Sequence, residues 1–225
     1  PFLERKPESP AEMMRGLAEV LRNPTLPFIL VLNFCNYACT FISYSYKAFG
    51  ESGESHDPIS DSLLTWASSC GAGINGVARI IFGSLADKFS FRALMMVVLC
   101  IELGTALVIF PAAQVPALFF VCVLLNYAVV GGFFAIFPVS VISVFGMEHG
   151  PQIYVQILIG SFISSLMNLI TTQFILPATS FATMFYIGAG TTLSAMVMLF
   201  FLKEELDVDN LAKHNAVEPV PANKQ

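Results

Sequence analysis

Two ionisable side chains stand inside stretches that otherwise read as buried apolar helix: Arg79, within "GINGVARIIFGSLADKF", and Glu102, within "LMMVVLCIELGTALVIF". Charges in such surroundings are costly, about 2.5 to 3.5 kcal/mol on insertion scales, and they generally face a partner or a water-filled cavity. A guanidinium facing a cavity can grip a carboxylate with two hydrogen bonds through its planar fork. Asn75 lies one helical turn away on the same face and can orient either the arginine or the ligand. The competing reading has Arg79 snorkelling to the membrane surface or pairing with loop acids such as Asp87. For Glu102 the alternatives are a protonated carboxyl hydrogen-bonded to a neighbour and a group that couples transport to a proton.

Two polar stripes recur at helical spacing. One is Asn33, Tyr37, Thr40 and Tyr44; the other is Ser161, Ser165, Asn168 and Thr172. Either can line a cavity, with Asn33, Tyr37 and Asn168 as substrate-binding candidates, or serve only as interhelical contact. Catalytic chemistry finds no support. His56, His149 and His214 lie in loops or the tail, so no embedded Ser–His pair can be drawn, and there is no Gly-rich phosphate loop. The five cysteines all fall in apolar runs and read as small buried hydrophobes. No metal-ligand set, cofactor motif or nucleic-acid-binding pattern is present.

The elements that must carry these residues follow from composition. Hydrophobic residues make up 56% of the chain and charged residues 12%, with a mean hydropathy of +0.72. A soluble domain carries about 25% charged residues, so most of this chain must face lipid. Six stretches are long enough to cross a bilayer: roughly Pro27 to Tyr46, Leu63 to Leu85, Ala93 to Phe110, Ala117 to Phe145, Gln152 to Leu176, and Phe181 to Leu202. Each should be a helix, because lipid satisfies no backbone polar group. The fourth contains Gly131, Gly132 and Pro138, and a bend is expected there. Ser69, Ala72, Gly73 and Gly76 suggest close helix packing in the second.

Residues 1–24 form a segment with an amphipathic interfacial helix. Ser9 and Glu12 make a capping box, and Met13, Met14, Leu17, Val20 and Leu21 share one face. Residues 25–203 form the transmembrane domain, and residues 204–225 a polar disordered tail. Basic residues gather before span one, between spans two and three, and after span six, whereas the other side has Lys47 among four acids. Both ends are therefore expected on the cytoplasmic side. The chain begins at Pro1 without a basic n-region, so no signal peptide is expected and the sequence reads as a piece of a longer one.

"GSLADKFSFR", Gly83 to Arg92, resembles the signature loop of the major facilitator superfamily: Gly83, Asp87, Lys88 and Arg92 match, while Ser90 and Phe91 replace a glycine and a basic residue. Together with "YKAFGE", "INGVARIIFG", "GGFFAIFPVSVISVFG" and "GPQIY", it resembles oxalate/formate antiporter-like transporters and their monocarboxylate transporter relatives. The resemblance implies an all-α membrane fold of six helices as a three-plus-three inverted repeat, half of a twelve-helix transporter whose amino-terminal half is absent. It places Arg79 on the arginine that binds the substrate carboxylate, Asn75 where some relatives carry Asp, and Gly83, Asp87, Lys88 and Arg92 in a conformational latch. Oxalate-handling members carry a lysine in the helix matching span five, which here holds no Lys or Arg. One cation suits one carboxylate. The expected function is alternating-access transport of small organic anions, with the bilayer and the missing half as partners. The alternatives are a membrane receptor or scaffold that keeps the fold, and a half-transporter that assembles as a pair.

Overall fold

A computed structural model describes residues 26–54 and 57–201. The interfacial helix, the tail and the ends of the chain lie outside the described residues. So do the side chains of Asn33, Cys35, Glu148 and His149. Every regular element among the described residues is helical: α1 (Leu26–Ser52), α2 (Asp61–Ala86), α3 (Phe91–Ala112), α4 (Pro116–Ile170) and α5 (Phe181–Phe201). A π-helical turn (Thr171–Ile175) and a 3-10 turn (Leu176–Ala178) extend α4.

The limits of these helices are chemical. Gly53, at φ 66°, ends α1 in the left-handed region that favours glycine. Ser60 caps α2 by accepting from Leu63 N, and Ser90 caps α3 by accepting from Ala93 N at 3.3 Å. The serine that departs from the signature loop is therefore what starts the next helix. Ser90→Ala should cost about 1 kcal/mol, read as a lower thermal midpoint with ligand binding unchanged. Ser180 and the Glu54 carboxylate both accept from the first turn of α5, through Thr183 N and Phe181 N, each at 3.2 Å.

α4 is assigned as one 55-residue helix, where two spans and an intervening loop are expected. A straight helix would hold Asn126 and Asn168 about 60 Å apart at 1.5 Å per residue. Yet Asn126 bonds to Cys39 O and Asn168 to Tyr37 O, both on the same two turns of α1. The segment must reverse between them, with helical backbone continuing through the turn. Its two legs, Pro116–Val139 and Leu158–Ala178, are each long and apolar enough to cross a membrane, as are α3 and α5. This is a multi-pass membrane protein. α1 and α2, which run alongside, carry the polar stripe and the Arg79 face that lower their hydropathy.

Two apolar clusters hold the bundle. At one end Phe49 is fully buried against Phe110, Phe119, Phe181 and Phe185, with ring centroids 5.1 to 6.0 Å apart. At the other, Leu94, Met95, Val98, Leu99, Phe133, Ile136, Phe137 and Leu199 pack together. Between them lies a buried polar layer that includes Thr40, Glu102, Asn126 and Thr192. The outward residues are mostly apolar, among them Val77, Ile80, Leu107 and Phe200, as a lipid-facing surface requires. Cys39 and Cys122 are buried as expected, but Cys70 and Cys100 face outward on these apolar sides.

Close packing of α2 on α4 does not come from Gly73 or Gly76, which have open space where a Cβ would stand. It comes from Gly71, whose Cβ would fall 2.4 Å from the Tyr127 ring, and from Gly131, whose Cβ would fall 2.4 Å from Asn75 O. Gly131 and Gly132 thus serve helix approach at this crossing, where a bend is expected from sequence.

At the Phe49 end, Lys47 pairs with Asp61 at 2.7 Å and Glu51 at 3.9 Å, tying α1 to the start of α2. The hydrogen bond that Lys47 donates to Asp61, and the negative charge of that carboxylate, raise the Lys47 ammonium above its ordinary range. Being exposed, the pair contributes little to stability.

Candidate functional site

A cleft of about 470 Å³ opens between α1, α2 and both legs of α4. One wall is polar: Asn36, Thr40, Ser43, Ser161 and Ser165. Tyr44 of α1 joins that wall, and α2 and the first leg of α4 contribute Ala72, Asn75, Tyr127, Val130 and Phe134. Helical periodicity explains the α1 contribution, because residues i, i+4, i+7 and i+8 (Asn36, Thr40, Ser43, Tyr44) share a face.

Arg79 stands at the edge of this cleft, not on its lining. Its Nε donates to Asn75 Oδ1 at 3.1 Å, and its guanidinium lies 5.7 Å from the centroid of the Phe134 ring. Asn75 in turn donates to Tyr127 O at 3.1 Å. Asn75, Phe134 and Tyr127 all line the cleft, so the arginine is fixed by the residues that form its wall. The side chain is exposed, and among the described residues no carboxylate pairs with it. Pairing with Asp87 is thereby not seen.

Tyr37 and Asn168, both expected at the substrate site, are buried together in the seam between α1 and the second leg of α4. Asn168 Nδ2 donates to Tyr37 O and to Thr40 Oγ1, while the Tyr37 hydroxyl bonds to Thr171 Oγ1 at 2.9 Å. Neither lines the cleft. They touch it indirectly, because Thr40 does line it. Asn33 sits on α1 one turn before Asn36, and its side chain lies outside the described residues.

Glu102 is fully buried. Asn126 Nδ2 donates to its Oε2 at 3.3 Å, and Oε1 has no hydrogen-bond partner among the described residues. Asn126 Oδ1 accepts from Ser43 at 2.7 Å, so two hydrogen bonds link the carboxyl to the cleft. In the latch segment Gly83 lies in the last turns of α2 and Asp87 caps its end. Asp87 and Lys88 are exposed and form no ion pair among the described residues, while Arg92 is half-buried at the start of α3. Phe91 packs its ring on Phe137 at 5.3 Å.

Sequence reasoning missed Asn36, Ser43, Asn126, Tyr127 and Phe134. For Asn36 and Ser43 the signal was present: they share helical spacing with Thr40, but the neighbouring phase through Asn33 and Tyr37 fits a helix equally well. Among the described residues no cluster of His, Cys, Asp and Glu could hold a metal ion.

A multi-pass helical membrane protein with a polar cleft between its helices is an architecture that transporters and receptors share. Residues 10–223 match the family model of the Major Facilitator Superfamily, nearly the whole chain, and the chain belongs to that transporter-type superfamily. No curated protein and no solved structure matches it.

Proposed function

We propose that this chain forms part of a secondary transporter of small organic anions, monocarboxylates in particular, that works by alternating access. Its six antiparallel legs would be the carboxy-terminal half of a twelve-helix protein with cytoplasmic ends, and an amino-terminal half would supply the facing wall. The observation that carries this reading is the exposed Arg79. Its Nε is held by Asn75, its remaining donors are not taken by any carboxylate among the described residues, and it stands beside the cleft. A guanidinium so placed offers a fork to a carboxylate. The test is counterflow of labelled small carboxylates by the full-length protein in proteoliposomes, with pH and sodium varied separately. Saturable exchange of monocarboxylates supports the reading. Ligand binding without flux would instead support a receptor that keeps the fold.

Gly83, Asp87, Lys88 and Arg92 are assigned to the latch between conformers. Asp87→Asn should slow exchange several-fold with a smaller change in binding, since the exposed carboxylate lies at the end of α2, away from the cleft lining. Equal turnover in the variant would count against the latch. Glu102 is the candidate proton-coupling group, reached from the cleft through Ser43 and Asn126. A pH-dependent exchange rate that Glu102→Gln flattens would support that role.

A further inference from the structure

The polar wall of the cleft has already committed most of its hydrogens, and this restricts what it can bind. Asn126 Nδ2 donates to Cys39 O and to Glu102 Oε2, each at 3.3 Å, which uses both amide hydrogens. A backbone carbonyl only accepts, so the amide cannot be turned the other way. Its Oδ1 must therefore face Ser43, and Ser43 must donate to it across 2.7 Å. A second internal acceptor, Cys39 O, lies 3.0 Å from the same hydroxyl. Whichever the hydrogen chooses, it is spent inside the protein.

A hydroxyl has one hydrogen and two lone pairs. What Ser43 presents to the cleft is therefore acceptor capacity alone. Thr40 is in the same position, because its hydrogen goes to Asn36 O. So is Ser165, which donates to Ser161 O at 3.0 Å. On this side the Tyr44 hydroxyl and Asn36, whose amide gives one of its two hydrogens to Ser161 O at 3.4 Å, keep a hydrogen for a ligand, whereas the Ser161 hydroxyl is buried out of its reach. At the edge of the opposite wall, held by Asn75 and Phe134, stands Arg79, which has donors and no acceptor. The hydroxyls of Ser43, Thr40 and Ser165 are opposite to it in hydrogen-bond sense.

We propose that the cleft selects carboxylates that bear a hydrogen-bond donor, a hydroxyl or an ammonium, and that Ser43 is the residue that reads it. This rests on the organic-anion reading above and narrows it. A carbonyl in the same place would set oxygen against oxygen, and a bare methylene would leave the lone pairs of the half-buried Ser43 unmet beneath the ligand. An unmet partner of this kind is worth about tenfold in affinity.

The test is competition for counterflow by the full-length protein in proteoliposomes, using four carboxylates on one skeleton: hydroxy, amino, keto and unsubstituted. A three-carbon set (lactate, alanine, pyruvate, propionate) and its phenyl-substituted counterparts separate size from polarity. The hydroxy or the amino member should compete about tenfold better than the keto and unsubstituted members of its set, and which of the two leads identifies the donor. Ser43→Ala should bring the ratio below about twofold, and Ser43→Thr, which keeps a hydroxyl, should retain it. A merely structural role for Ser43 would lower all four together and leave the ratio in place, which would overturn the proposal. Equal competition by all four in the native protein would also overturn it, with the organic-anion reading intact. Failure of every carboxylate to compete would overturn both.

Discussion

Arg79→Lys in the full-length protein is expected to reduce carboxylate counterflow by about a hundredfold, the scale of losing a bidentate charge-assisted contact. Yield in the membrane should be unchanged. Charge is conserved in this variant, so simple attraction of anions survives. What is lost is geometry. The guanidinium is held by one nitrogen on Asn75 and by its face on Phe134, which leaves its other nitrogens arranged as a planar fork. A lysine ammonium is a point charge on a flexible stem with no fork to hold. Because the arginine side chain is exposed and contributes no ion pair among the described residues, its replacement leaves the bundle's packing alone. Counterflow and membrane yield measured on the same preparations check this. Native rates in the lysine variant would remove Arg79 from the substrate site.

Gly131→Ala should damage both the fold and the site. A Cβ there would fall 2.4 Å from Asn75 O and 3.1 Å from Ala78 Cβ, and the carbonyl is backbone, so no rotamer change relieves the clash. The helices must separate, at about 1 to 3 kcal/mol for overpacking of this kind. The movement falls on Asn75, the residue that holds the Arg79 Nε. The expected result is a thermal midpoint several degrees lower together with weakened carboxylate binding. Gly104→Ala is the control: no atom lies within 4 Å of the added methyl on the outward face of α3, and alanine is the better helix former. It should be neutral or slightly stabilising. A Gly131→Ala protein as stable as the native one would mean that this crossing is looser than the structure has it.

Much of the architecture was legible because membrane helices are a problem of length and hydropathy. The limits of α2, α3 and α5 lie within a few residues of the expected stretches, since Ser60, Ser90 and Ser180 are caps that a sequence displays openly. The site was legible in part. Arg79 and Asn75 lie four residues apart on one helix, so their hydrogen bond is a local property of α2. The stripes were harder. Thr40 belongs to both phases of α1, and nothing local distinguishes a helix whose Tyr37 faces the cleft from one whose Ser43 does. Glycine roles were hardest of all: Gly73 and Gly76 look like packing residues and meet nothing, while Gly71 and Gly131 make the contact.

The amino-acid sequence by itself determined that this chain lives in a membrane, that its spans are helical, and that one arginine stands among apolar residues where a charge needs a reason. Composition and the obligation to satisfy backbone hydrogen bonds in lipid leave no other outcome. Only the tertiary structure decided which polar face turns toward the cleft, because that depends on how helices rotate about their axes against distant partners. The same rotations set Asn126 of α4 between Cys39 and Ser43 of α1 and Glu102 of α3, and so fixed which hydroxyls of the cleft have a hydrogen left to give.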